Sequence, residues 1–151
     1  MDWGGTALSA SFIVDASVGF AWVYQGQATP ETDQLLNEVA AGATVIVPAL
    51  WYLEMANILL IAQRRHRLTA IQRNAALEKL TAMQFTVDEE GTRHVFGKTG
   101  ELAEKYGLTI YDAIYLELAL RRSLPLATRD EALTTAAKQC GIVRAVTRRV
   151  L

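Results

Sequence analysis

A chain of 151 residues has room for one compact domain, and with 51% hydrophobic and 21% charged residues it can bury a core and is not intrinsically disordered. Fifteen Lys and Arg against sixteen Asp and Glu leave a net charge of −1, which excludes a protein that holds nucleic acid by bulk positive charge. The single cysteine, Cys140, excludes an internal disulfide and a Cys-rich zinc site, and fits a reducing, cytoplasmic setting.

Met1 to Ser11 lacks the basic start and long apolar core of a secretory leader, so residues 1–11 read as a short, poorly ordered extension before a single domain over 12–151. Ser11-Phe-Ile-Val14 is an apolar run that stops at Asp15 and reads as a strand, with a helix after it through Phe20 and Trp22. Thr29-Pro30-Glu31 carries an N-cap and a first-turn proline, and Gly42 closes the helix they open. Thr44-Val-Ile-Val47, cut off by Pro48, is a second strand. Pro48 to Ala62 is the longest apolar stretch; it is too short to span a membrane and predicts a buried helix over about 49–65.

Thr69 opens a helix to about Met83, and Phe85-Thr-Val87 is a third strand. A helix is predicted over 92–106, stopped by Gly107, and another over Thr109 to Arg122. Leu124 to Ala127 is a fourth strand, Asp130 to Gln139 a helix, and Ile142 to Val146 a fifth strand. Cys140 reads as a small packed side chain at the end of that last helix, and His66 and His94 as ordinary exposed residues. Strands alternating with helices imply parallel pairing through right-handed crossovers, hence an α/β protein: a three-layer α/β/α sandwich around a mostly parallel sheet of four or five strands. Ligands of such sheets bind beyond the carboxyl ends of the strands.

Acids recur at those positions. Asp15 follows the first strand, with the Ser17 hydroxyl two residues on; the alternative is a helix cap. Glu54 shares one face of an apolar helix with Asn57. A carboxylate buried there needs a partner or a cation, unless the pair forms a stripe that meets solvent. Asp112 opens Asp112-Ala-Ile-Tyr-Leu116 and also completes a Thr109-x-x-Asp112 capping box. Asp130 follows the fourth strand, where Thr128 and Glu131 fit a capping box as well. Glu117, about 140° around the helix from Asp112, reads as a surface or rim residue. Carboxylates gathered at one point repel one another, and their pKa values rise unless a cation intervenes. All-oxygen donors suit Mg²⁺ or Mn²⁺, which acidify a bound water for in-line attack on a phosphodiester and stabilise the leaving oxygen.

Phe12-Ile-Val-Asp15-Ala-Ser17, Glu54-Met-Ala-Asn57, Tyr111-Asp112-Ala-Ile-Tyr115 and Leu126-Ala-Thr128-Arg-Asp130, in this order and spacing, resemble the PIN-domain family, and within it the VapC-type toxins of toxin–antitoxin pairs. The similarity runs from Phe12 to about Val146; the extension before Phe12 departs from the compact start usual there. The resemblance implies an endoribonuclease that uses Mg²⁺ or Mn²⁺ and inhibits translation by cutting RNA. It implies that Asp15, Glu54 and Asp112 are the main catalytic and metal-ligating acids and Asp130 a less strict fourth. Ser17 and Thr128 match hydroxyl positions that support the acids, and Asn57 a position that orients them. It also implies an antitoxin partner and a homodimer, the latter in keeping with a mean hydropathy of +0.14.

RNA would need a basic rim around such a cluster. Candidates are Arg64, Arg65 and Arg67 after the long helix, Arg121 and Arg122, and Arg129 beside Asp130; each is equally a solvated cation at a helix end. Trp51 and Tyr52 are either stacking platforms or core. Two other readings stay open: a catalytically inactive binding module on the same fold, and a haloacid dehalogenase-type phosphatase. The phosphatase would want an aspartate where Ser17 stands.

Overall fold

The computed structural model describes residues 10–146. The expected 1–11 extension therefore lies outside the described residues up to position 9, as do residues 147–151. Ser11 already belongs to the first strand.

Among the described residues five strands form one parallel sheet in the order β3-β2-β1-β4-β5: β1 Ser11–Val14, β2 Thr44–Pro48, β3 Thr86–Asp88, β4 Leu126–Ala127 and β5 Val143–Arg144. The β1 register pairs Ile13 with Ile46 on one side and with Leu126 on the other. Among the described residues seven α-helices flank the sheet: α1 Ala16–Val23, α2 Pro30–Ala40, α3 Leu50–Arg64, α4 Ala70–Ala82, α5 Gly100–Tyr106, α6 Ile110–Arg122 and α7 Glu131–Gln139. From β1 through β3 the chain steps one way along the sheet, then returns past β1 to β4 and β5. Right-handed crossovers place helices on opposite faces for opposite directions of travel. Accordingly α1 packs with α2, α3 and α4, while α6 packs with α5 and α7. This is the expected three-layer sandwich.

Local chemistry sets most element starts. Thr29 caps α2 in a reciprocal box with Thr32, Pro30 takes the first helical position, and Gly42 follows the helix at φ 110°. Thr69 and Gln72 form the same box at α4. The core is continuous through the central strands and inward helix faces: Phe12, Ile13, Val14, Trp51, Leu59, Leu116 and Leu126 are all fully buried. Each such side chain contributes roughly 1.5–3 kcal/mol of transfer free energy.

Four expectations change. The helix expected over 92–106 is broken into a 3₁₀ turn (Gly91–His94), a wide turn (Val95–Thr99) and α5. Gly97, at φ −115° and ψ −105°, leaves helical geometry. The fourth and fifth strands shrink to two residues each because their first residues serve the preceding helices: Leu124 N–H donates to Ala119 O and Ile142 N–H to Ala137 O. Third, α3 is not buried throughout. Trp51, Met55 and Leu59 face inward, but Leu53 is 69% exposed and Asn57 lies on the exposed side.

The fourth change concerns Glu117, which is buried and not on the surface or rim. Arg121 Nε donates to its Oε1 at 2.7 Å, and the two terminal nitrogens of the same guanidinium grip Asp88 at 2.9 and 2.7 Å. This ties the end of β3 to α6. It holds the Asp88 carboxyl below its ordinary pKa and raises that of Arg121. At the other edge Arg144 of β5 pairs with Glu38 of α2.

Candidate active site

The order of strands reverses between β1 and β4, and the chain leaves both at the same end of the sheet. Asp15 follows β1 directly, and Thr128-Arg129-Asp130 follows β4. Such a switch point opens a crevice by geometry alone, because the next elements diverge to opposite faces.

Asp15 is buried and fills two roles at once. As N-cap of α1 its Oδ1 accepts from Val18 N–H at 3.3 Å and from the Ser17 hydroxyl at 2.6 Å, while its Oδ2 accepts from the Thr128 hydroxyl. The capping alternative is therefore realised, and the Ser17 hydroxyl that follows the strand does bond to Asp15. Burial pushes its pKa up to about 6; the hydrogen bonds from Ser17, Thr128 and Val18 oppose the rise and the Asp112 charge adds to it. Arg129 N–H in turn donates to Ser17 Oγ at 2.8 Å.

Glu54 is half-buried on α3 and accepts a hydrogen bond from the buried Tyr115 hydroxyl of α6. Burial raises its pKa, the Tyr115 bond opposes that, and the Asp112 charge raises it further. Asp112 sits in the first turn of α6, where its N–H donates to Thr109 Oγ1 at 3.1 Å. Its pKa is raised by burial first and by the Asp130 charge second. Asp130 N-caps α7, accepting from Leu133 N–H at 2.9 Å. The box expected between Thr128 and Glu131 does not form: Thr128 Oγ1 accepts from Asp130 N–H and donates to Asp15 instead.

Four acids from four separate elements are thus electrostatically coupled, with Asp112 as the common neighbour of Asp15, Glu54 and Asp130. No ion pair with a basic side chain reaches Asp15, Glu54 or Asp112 among the described residues. Nor do three acidic, histidine or cysteine side chains close into a ready-made cation cage there. Mutual repulsion of this kind keeps carboxylates apart until a cation draws them together. Uncompensated carboxylates with hard oxygen donors fit Mg²⁺ or Mn²⁺.

The remaining residues divide. Asn57 is exposed and hydrogen-bonded to none of the acids. Arg64, Arg65 and Arg67 are exposed at and just past the end of α3, Arg64 about 15 Å along the axis from Glu54. Arg121 is committed to Asp88 and Glu117, so it is not the basic-rim residue expected; Arg122 also leans on Asp88, at 3.4 Å. Arg129 is held by Gln27, through the backbone oxygen at 2.8 Å and the side-chain Oε1 at 2.7 Å. His66 is exposed, whereas half-buried His94 stands 3.7 Å from Glu117. Trp51 belongs to the core and donates to Asp15 O at 3.2 Å, and Tyr52 is 40% exposed. Cys140 ends α7 and donates to the Tyr106 hydroxyl at 3.3 Å.

Tyr115 went unassigned in the sequence, although a buried phenol needs a partner and the 112/115 spacing puts it on the face of Asp112. The cleft beside the acids was also not foreseen. It is open, about 810 Å³ in volume, and begins at Ser17 and Asp130.

The PIN domain family model matches residues 12–139. The fold is similar to that of PAE2754 from Pyrobaculum aerophilum, at 25% identity and a TM-score of 0.62 over 86% of this chain and 87% of that one. It is also similar to a chain of FitAcB from Neisseria gonorrhoeae (18% identity, TM-score 0.61, 84% of this chain and 93% of that one). A chain of VapBC2 from Rickettsia felis, bound to a DNA fragment from their promoter, shares 14% identity at a TM-score of 0.58, over 80% of this chain and 88% of that one. At 14% and 18% the likeness is one of fold. No curated protein matches the chain.

Proposed function

This chain belongs to the PIN-domain family, and on that footing we propose that it is a divalent-metal-dependent endoribonuclease, the toxin of a type II toxin–antitoxin pair that inhibits translation. The observation that carries the reading is the coupling of Asp112 to Asp15, Glu54 and Asp130 with, among the described residues, no basic side chain paired to the first three. Carboxylates whose charge is left uncompensated are a cation site waiting for its ion.

Asp15, Glu54 and Asp112 would hold the ion, with Asp130 at the margin. When bound, Mg²⁺ or Mn²⁺ supplies an acidified water and charge stabilisation at the leaving oxygen. The chain's own groups do the positioning. Ser17 and Thr128 donate to the two oxygens of Asp15, and Tyr115 donates to Oε1 of Glu54, leaving Oε2 without that bond. Such partners fix the direction of a ligating carboxylate.

An antitoxin as partner is supported by the likeness to FitAcB and VapBC2, and a homodimer by exposed apolar side chains such as Leu53 and Phe96. No helix among the described residues is long and apolar enough to cross a membrane; action in the cytoplasm, on cytoplasmic RNA, is part of the same reading. The absence of a closed acid cage favours one competitor, an inactive binding module. Mn²⁺ titration separates the two. The nuclease binds the ion and loses it in Asp15→Asn and Asp112→Asn, whereas the inert module binds none.

The decisive assay incubates total RNA with the protein and Mg²⁺ or Mn²⁺. Cleavage is expected for the wild type and abolished by Asp112→Asn or EDTA. Cleavage that survives both overturns the proposed site.

A further inference from the structure

Asp15, Glu54 and Asp112 do not line the 810 Å³ cleft. It lies beside them and shares only its edge with the site, through Ser17 and Asp130. Its volume is that of a small-ligand pocket. Two aromatic side chains, Phe20 from α1 and Tyr106 from the end of α5, form part of its wall, together with Gln27 and Arg129 and with Ala132 and Thr135 from α7.

Two of these groups are held in place. Phe20 stacks face to face on Tyr24, with centroids 5.0 Å apart and planes 4° from parallel. Arg129 is gripped by the backbone oxygen and Oε1 of Gln27. Because Oε1 accepts from Arg129, the Gln27 amide has a fixed sense, with Nε2 as its donor end. Aromatic rings and an amide N–H₂ are what a base requires, a stacking surface and a donor to a base carbonyl, and the Arg129 guanidinium stands among the Asp130 and Glu131 carboxylates that also line the cleft.

We propose that this cleft is the subsite for one nucleotide of single-stranded RNA, immediately next to the phosphodiester presented to the acids. Its base lies against the Phe20/Tyr106 wall and donates no proton to Gln27 but accepts from its Nε2; its sugar-phosphate passes Arg129. The proposal rests on the nuclease reading for where the reacting bond lies. Ser17, whose hydroxyl donates to Asp15, and Asp130 both line the cleft, so a chain whose phosphodiester sits at the acids can extend into it. A nucleotide in single-stranded form can turn its base into the wall, whereas a base kept stacked in a duplex cannot.

The test uses the full chain and two readouts. Binding of a fluorescein-labelled single-stranded oligoribonucleotide is measured in EDTA, where nothing is cut, and single-turnover cleavage is measured with Mn²⁺. Ala132→Trp fills the cleft from the exposed face of α7, and Tyr106→Ala removes part of the stacking wall. Each is expected to weaken binding roughly tenfold, and Tyr106→Phe to restore it to within about twofold. Gln27→Glu keeps an oxygen for Arg129 but removes the donor, and should flatten the preference among homopolymeric oligonucleotides. Melting curves confirm folding, and Mn²⁺ affinity should stay at the wild-type value in all four variants, since none of these residues is among the acids.

Wild-type RNA binding and cleavage by Ala132→Trp and Tyr106→Ala would overturn the subsite while leaving the nuclease reading intact. Binding that depends on the cleft, in a protein that cuts nothing with either metal, would support the subsite and sink the nuclease reading. Amide shifts around the cleft with a basic decapeptide but not with uridine monophosphate would make it a protein-docking groove and refute the proposal.

Discussion

The hydroxyl of Thr128 donates a hydrogen bond to Oδ2 of Asp15, joining residues 113 positions apart across the β1–β4 switch point. The Thr128 hydroxyl oxygen also accepts from Asp130 N–H at 3.0 Å, so one threonine aligns the residues that follow two strands. Thr128→Val should therefore weaken Mn²⁺ binding by roughly 10- to 100-fold, the usual effect of deleting a group that orients a ligand. Stability should fall by only about 1 kcal/mol. Titration calorimetry on Thr128→Val and on the rescuing Thr128→Ser checks this; equal affinities in both would show that the hydroxyl orients nothing.

The raised Asp15 pKa has a sign. A carboxyl that titrates at about 6 in the fold and near 3.8 when unfolded favours folding while protonated. Its contribution is complete below pH 3.8 and is lost as pH rises through 6; it amounts to roughly 3 kcal/mol. Glu54 and Asp112 are shifted in the same direction. Asp88 and Glu38 are shifted the opposite way, so their stabilisation disappears only in stronger acid. In EDTA the melting temperature should thus be higher near pH 5 than at pH 7.5, and Asp15→Asn should reduce that difference. Mn²⁺ at pH 7.5 should recover stability by binding the folded state alone. A wild-type protein that melts at one temperature across this range contradicts the burial argument.

Arg121 compensates two acids whose side chains are 1% and 4% exposed. Arg121→Ala leaves Glu117 buried without a guanidinium and Asp88 with Arg122 alone, at 3.4 Å, which should cost about 3–5 kcal/mol. Chemical denaturation measures it. Adding Glu117→Gln and Asp88→Asn to the same chain should return part of the loss, since the orphaned charges are then gone. A single variant as stable as the wild type would mean that water reaches the pair.

Gly19 has no room for a methyl group. A Cβ there would lie 2.7 Å from Trp51 Cζ2 and 2.9 Å from Met55 Sδ, and Trp51 is fully buried. Gly19→Ala should destabilise the fold by about 1–3 kcal/mol through overpacking. Because Trp51 donates to the backbone oxygen of Asp15, it should also reduce Mn²⁺ affinity. Thermal melts and the same metal titration read both effects.

By itself the amino-acid sequence determined what short-range physics encodes. The alternation of apolar runs with helical periods predicted a sheet of four or five strands, and five form. Thr29, Thr69 and Thr109 marked helix starts because a cap hydroxyl meets an N–H only three residues away. The acids after β1 and β4 stood out for the same reason: a strand end and a helix start adjoin there. Tertiary structure alone decided the rest. The Glu117–Arg121 spacing was legible, but its burial depends on Asp88 arriving from β3, 33 positions before Arg121. Whether Arg129 faces the cleft depends on Gln27, and whether Glu54 is held depends on Tyr115, 61 positions away. A side chain's pattern reports its own element's exposed and buried faces; which charge or hydroxyl waits on the facing element is set only when the layers close, because burial then forces each polar group to find a partner.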